Sequence, residues 1–151
     1  MIGGNLSTNA GGINFIRHNS LHANCIGLKA VLANGDVLDN MTLLRKDNTG
    51  YDLKHLFIGA EGTLGVITEC AVLCGPLPDH KNLVMLACNS FDNVLHILNK
   101  AKLELGDVLT AIEFMDAQSL DLVLQNAKQA KDPYDKKFDF YVLIEVATSE
   151  A

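Results

Sequence analysis

The stretch CIGLKAVLANGDVLDNM, residues 25–41, decides how the first half of the chain folds. Two runs rich in Val, Ile and Leu, Cys25 to Leu32 and Asp36 to Met41, have the length and composition of strands. Between them lies Ala33-Asn34-Gly35, and Asn-Gly is the pair that tolerates the positive φ angles of a tight hairpin turn. An antiparallel hairpin is predicted here, and the rest of the chain is read outward from it.

Downstream, Leu53, Leu56 and Phe57 fall at i, i+3 and i+4 after Asp52, which predicts a short helix with Asp52 as its N-cap. A strand from Val66 to Leu73 follows the glycines at 59, 62 and 65. Gly75-Pro76-Leu77-Pro78 carries two of the chain's three prolines, so regular structure breaks there and a domain boundary is expected. Beyond it, Leu83 to Cys88 reads as a strand. Ser90 can then cap a helix whose Val94, Ile97, Leu98, Ala101 and Leu105 form one stripe, with Gly106 ending it. A second unit repeats the pattern: strand Leu109 to Met115, Asp116 as cap, then a helix with Leu120, Val123, Leu124 and Ala127 facing inward. The last strand is expected at about Phe138 to Ala147. This order belongs to an α+β or α/β layer. A glycine-rich stretch beginning at residue 3 and a strand stopping near Ala151 are what a piece of a longer protein would present.

With 151 residues, 48% hydrophobic and 20% charged, the chain can bury a sizeable core and does not read as disordered. A net charge of −6 and no run of Lys or Arg argue against a nucleic-acid or anionic-membrane surface. Apolar runs such as Tyr141 to Ile144 fall far short of the roughly 20 residues that span a bilayer. No targeting signal is visible around Gly3, Gly4, Asn5 and Asn9. Cys25, Cys70, Cys74 and Cys88 are irregularly placed and require no disulfide framework, so a reducing compartment is the simpler reading. Cys70 and Cys74 would share a strand face about 13 Å apart, too far for a disulfide, and read as buried apolar side chains.

Two stretches invite a ligand. Gly3-Gly4-Asn5-Leu6-Ser7-Thr8-Asn9-Ala10-Gly11-Gly12 would let backbone N–H groups approach a pyrophosphate closely. It lacks the ending of a Walker A loop and the strand-turn-helix setting of a dinucleotide fingerprint, and on composition alone a plain surface turn competes equally. Gly59-Ala60-Glu61-Gly62-Thr63-Leu64-Gly65 leads into a strand where a Rossmann loop would open a helix, which argues against a nicotinamide site. Glu61 would be repelled by a phosphate it faced, so this loop should work through backbone groups or aim Glu61 elsewhere.

His18, His22 and Cys25 have spacing that would suit a metal on a helix, but the surrounding Asn content favours ordinary solvent-facing or core histidines. His55, His80 and His96 show no partner pattern. Glu113 and Asp116 are explained as a strand's polar face and a helix cap. No Ser/His/Asp or Cys/His hydrolase set and no nucleophile elbow can be assembled.

Taken in order, Gly3 to Gly12, Leu43-Leu44-Arg45-Lys46-Asp47-Asn48-Thr49-Gly50-Tyr51-Asp52-Leu53-Lys54 and Gly59 to Thr68 resemble the 2-hydroxy-acid dehydrogenases among the vanillyl-alcohol-oxidase-like flavoproteins. The likeness continues through Ala111 to Asp116 and Phe140 to Glu145. It implies an α+β fold: residues 1–78 as the later half of a PCMH-type FAD-binding domain, and 79–151 as the beginning of an α+β substrate (cap) domain. It further implies that Gly3, Gly4 and Asn5 lead into Thr8, Asn9, Ala10, Gly11 and Gly12 along the flavin. Glu61, Gly62, Thr63, Leu64, Gly65, Val66 and Ile67 would contact FAD largely through their backbone.

The implied reaction oxidises the C2 alcohol of a D-2-hydroxy acid, D-2-hydroxyglutarate foremost, by hydride transfer to FAD, with a flavoprotein as electron acceptor and a mitochondrial location. D-lactate or glycolate oxidation, an alkylglycerone-phosphate synthase-like activity and a non-catalytic binding module are the competing readings. An earlier FAD loop and a later His-rich, zinc-like metal site belong to the family without counterparts here, so no catalytic or metal residue is carried over and the chain alone is expected to be inactive. Arg17-His18-Asn19 and Ser20-Leu21-His22-Ala23-Asn24 depart from the family, which commonly has glycines after the aromatic and after the histidine.

Overall fold

The computed structural model describes residues 1–149 and falls into two units, Met1–Pro76 and Leu77–Ala151. Each unit has its own three-stranded antiparallel sheet, in the orders β2-β1-β3 and β4-β6-β5, so the class is α+β.

In the first unit, α1 (Ile2–Ser7), α2 (Phe15–His18) and α3 (Leu21–Asn24) precede the hairpin of β1 (Cys25–Val31) and β2 (Val37–Asn40); α4 (Lys54–Phe57) and β3 (Val66–Val72) follow. The hairpin pairs Leu28 with Asn40 and Val31 with Val37. Its turn differs from the mirror-image two-residue type that Asn-Gly favours. Of the turn residues only Gly35 has positive φ, +89°, while its N–H donates to the Leu32 carbonyl at 3.0 Å and the Leu32 N–H to the Asp36 carbonyl at 2.8 Å. This is an ordinary turn closed by a left-handed glycine. The Asn34 side chain accepts from the Asp36 N–H at 3.1 Å and so fixes the turn through its amide.

β1 is the central strand, and Leu28 and Ala30 on it are fully buried with Leu6, Cys25, Phe57 and Ile58 in one core. Burying a leucine of this kind is worth about 1.5–3 kcal/mol. Gly27 has no room for a side chain, because a Cβ would lie 2.6 Å from the Thr42 nitrogen. Two expectations are corrected. Asp52 does not cap α4: Leu53 holds the cap position without a side-chain bond, and Asp52 pairs with Lys54 and His55 instead. Cys74 is exposed, because β3 ends at Val72 and Cys74 lies beyond the alternation of the strand.

In the second unit, β4 (His80–Cys88), α5 (Phe91–Leu105), a 3-10 turn (Gly106–Val108), β5 (Leu109–Asp116), α6 (Ala117–Asn126) and β6 (Phe140–Thr148) follow in order. β6 lies between the other two strands and supplies the buried Tyr141, Val142, Ile144 and Ala147. Ser90 accepts from the Asn93 N–H at 3.3 Å, starting α5, and Gly106 ends it at φ +50°. Val94 and Ala101 are buried on the expected stripe. Asp116 accepts from the Ser119 N–H at 2.8 Å; hydrogen bonding to Ser119 holds its carboxyl below the usual range. The inward stripe of α6 is shorter than expected. The helix stops at Asn126, so Leu120 is buried while Val123 and Ala127 are exposed. The Tyr134 hydroxyl donates to the Met85 carbonyl at 2.5 Å, and the Tyr141 hydroxyl accepts from the Phe138 N–H at 3.1 Å. No helix among the described residues is long and apolar enough to cross a membrane.

Candidate cofactor site

The first glycine-rich stretch is not a loop at its start. Ile2–Ser7 forms α1, so Gly3, Gly4 and Asn5 are helical and the turn begins at Thr8. Two anchors decide this: Leu6 is fully buried in the core, and Gly3 lies so close to β3 that a Cβ would stand 3.1 Å from the Ile67 carbonyl oxygen. A helix nearest neighbour to a strand needs a small residue at the contact, which the periodicity of a six-residue segment does not reveal.

The two glycine-rich stretches, some fifty residues apart in sequence, meet directly. The Gly59 N–H donates to the Leu6 carbonyl at 3.0 Å and the Glu61 N–H to the Ser7 carbonyl at 2.8 Å. A Cβ on Gly59 would touch the Asn9 Cβ at 3.5 Å. Left-handed backbone occurs on both sides of this junction, at Asn9 (φ +48°), Gly59 (+83°), Glu61 (+51°) and Gly62 (+81°). Leu6 from one stretch and Phe57 and Ile58 from the approach to the other share one core, which fixes the pair of turns against β1.

The glycines divide by what a side chain would meet. Gly65 is required by packing, since a Cβ there would lie 2.6 Å from the Val31 carbonyl oxygen. Gly4, Gly11, Gly12 and Gly62 face open space, and Gly4, Gly11 and Gly12 have no positive φ to explain them. Among the described residues, none accepts from the backbone N–H of Gly11, Gly12 or Gly62. Small residues with open space beside them and unpaired N–H groups make a backbone that a pyrophosphate or a flat ring can approach closely. Gly4, Gly11, Gly12 and Gly62 are therefore compatible with the approach of a dinucleotide such as FAD.

Other candidate residues act within the chain. The Thr8 hydroxyl donates to the Gly4 carbonyl at 3.1 Å, and the Thr63 hydroxyl to the Ala60 carbonyl at 2.6 Å. The Ala10 N–H donates to the Asn5 carbonyl at 2.8 Å. The Glu61 N–H is occupied by Ser7, and its side chain is exposed. Ile67 packs against the core, whereas Leu64 and Val66 are 49% and 66% exposed and offer apolar surface beside the turns.

His18 and His22 lie on separate helices, divided at Asn19, so they do not form the helical pair considered for a metal. No group of three His, Cys, Asp or Glu side chains among the described residues could hold a metal ion. His55, which showed no partner in the sequence, has two: its Nε2 lies 3.1 Å from Asp52, and its ring meets that of His22 edge-to-face with centroids 4.0 Å apart. The separation of these histidines by 33 positions hid the contact from any local motif.

Residues 77–151 match the family model described as FAD linked oxidases, C-terminal domain. Over 149 residues the chain is 50% identical to the mitochondrial D-2-hydroxyglutarate dehydrogenase of Arabidopsis thaliana, covering 99% of this chain and 27% of that protein. It is 48% identical over 148 residues to a D-2-hydroxyglutarate–pyruvate transhydrogenase of Saccharomyces cerevisiae, with 98% and 30% covered. The solved structure of an alkyldihydroxyacetonephosphate synthase has the same fold, with a TM-score of 0.74 at 20% identity over 97% of this chain and 28% of that one. The chain thus spans less than a third of the length of these relatives. On the family match and the near-complete coverage of this chain by its relatives, it belongs to the FAD-linked oxidase family.

Proposed function

We propose that the protein containing this chain is an FAD-dependent dehydrogenase that oxidises D-2-hydroxyglutarate to 2-oxoglutarate in mitochondria. In this reading residues 1–78 are the later half of its PCMH-type FAD-binding domain and 79–151 the beginning of its substrate domain. The observation that carries it is the junction of the two glycine-rich turns, joined by the Gly59 and Glu61 hydrogen bonds and flanked by glycines with open space beside them. Relatives named D-2-hydroxyglutarate dehydrogenase at about half identity supply the substrate class.

When bound, FAD supplies the redox chemistry by accepting a hydride from the substrate's C2. The chain's own part is to hold it. Gly11, Gly12 and Gly62 offer backbone N–H groups to the pyrophosphate, and Thr8, Asn9 and Ala10 shape the turn beside it. Leu64 and Val66 give apolar contact, while Gly65 and Ile67 set the strand that supports them. The divalent metal of the family and the flavoprotein electron acceptor belong to the whole protein, and this reading places no metal ligand or catalytic residue in residues 1–149. A second reading has support in the yeast transhydrogenase, whose name makes pyruvate the acceptor in place of a flavoprotein. Purified intact protein tests both. Flavin reduction by D-2-hydroxyglutarate in the absence of other substrates is expected, and reoxidation by pyruvate would select the second reading; failure of D-2-hydroxyglutarate to reduce the flavin would remove both.

A further inference from the structure

Behind the junction of the two turns lies a group of side chains that the flavin reading does not use. His22, on α3, donates its backbone N–H to the Asn9 side-chain oxygen at 3.1 Å, and Asn9 is the left-handed residue of the first turn. His55, on α4, lies two residues before Phe57, which with Ile58 leads the chain into Gly59 and the second turn. The two imidazoles meet edge-to-face at 4.0 Å, and Asp52 holds His55 through Nε2 at 3.1 Å.

Two ring nitrogens in this contact, His22 Nε2 and His55 Nδ1, are buried without a hydrogen-bond partner. A buried unsatisfied polar atom is costly unless a neighbour complements it. His55 Nε2 faces Asp52 at 3.1 Å, which favours the tautomer carrying its proton on Nε2 and leaves Nδ1 with a lone pair. Neither nitrogen is hydrogen-bonded to the other ring, so a proton added at His55 Nδ1 would be buried with nothing to accept it. The contact is therefore best satisfied with His55 neutral.

We propose that the Asp52–His55–His22 chain is a proton-sensitive brace that sets the spacing of the two cofactor-facing turns, His22 and His55 acting as positioning residues. The inference rests on the flavin reading above. One end of the brace is tied to the first turn through Asn9, and the other to the second through α4.

The surroundings favour a neutral His55. Burial pushes the His55 imidazole below its ordinary pKa; Asp52 opposes this, while His22 and Lys54 add to it. Lys54 is paired with Asp52, and Arg45, Asp47 and Cys25 line the same cleft of about 400 Å³. Burial and Cys70 push the Cys25 thiol up, so Cys25 stays uncharged at neutral pH. Because the folded-state pKa of His55 is lowered, its contribution is complete above the ordinary imidazole range and is lost as pH falls through the folded value. Acidification then places an imidazolium against the second ring, and the spacing of the turns is lost with it.

The test is FAD affinity of the intact flavoprotein, read by flavin fluorescence from about pH 7.5 to about pH 5.5, for wild type, His55→Gln and His55→Ala. The wild type is expected to lose affinity about tenfold over this range. His55→Gln keeps a hydrogen-bonding amide that does not titrate, and is expected to bind FAD within about threefold of wild type at the upper pH with a flatter profile. His55→Ala is expected to bind more weakly than wild type at the upper pH and to converge with it at the lower. Identical pH profiles for wild type and His55→Gln would overturn the brace while leaving the flavin reading intact. Absence of FAD binding by wild type at any pH would overturn the flavin reading and the brace with it.

Discussion

Asn19 holds φ +60° and ψ −168°, a backbone conformation that glycine adopts freely and other residues adopt at a cost of about 1–3 kcal/mol. It closes α2 immediately before Ser20 caps α3. Asn19→Gly should raise the thermal midpoint by a few degrees, corresponding to about 1 kcal/mol, in a melting curve. A lower midpoint would mean that the Asn19 side chain contributes more than its backbone costs. The glycines give the opposite sign. Gly65→Ala must displace the Val31 carbonyl and should destabilise the protein by about 1–3 kcal/mol. Gly4→Ala, helical and open, should be neutral or slightly stabilising by up to about 1 kcal/mol. The sequence displays both glycines alike; what distinguishes them is which atom lies across the gap, and only the fold supplies that.

The elements themselves were largely legible. Ser90, Asp116 and Gly106 stand where a helix must start or stop, and each does so because its cap satisfies backbone groups the helix leaves open. Asp116→Ala should lower the thermal midpoint at neutral pH. Because hydrogen bonding holds the Asp116 pKa below 3.8, the wild-type advantage is present above that value and should vanish as pH falls through the lowered one. An advantage persisting in strong acid would contradict the capping role. Short helices were the harder case. α4 showed in the spacing of Leu53, Leu56 and Phe57, whereas α1, α2 and α3, of four to six residues, left no periodicity to read; α1 is held by a tertiary anchor, Leu6. Leu6→Ala should therefore cost about 2–5 kcal/mol by denaturant unfolding, a core-sized loss from a segment that reads as a glycine-rich turn.

For the whole molecule, the sequence carried both halves of the candidate site but not their meeting. Hydrogen bonds from Gly59 to Leu6 and from Glu61 to Ser7 join residues more than fifty positions apart, and the His22–His55 contact spans thirty-three, so neither leaves a local motif. The break near Pro76 was readable because proline acts locally, whereas the sheet orders β2-β1-β3 and β4-β6-β5 follow from pairings that no single stretch encodes. FAD is proposed to lie against the paired turns, and Gly12 gives the sharpest test. It has open space beside it, no positive φ and a free N–H, so a side chain there should disturb a ligand and little else. The measurement is a fluorescence titration of the intact protein with FAD, comparing wild type with Gly12→Val and checking the apo thermal midpoint of each. At least about a tenfold loss of FAD affinity with the midpoint nearly unchanged is expected; equal affinity in the two proteins would rule out FAD at the paired turns.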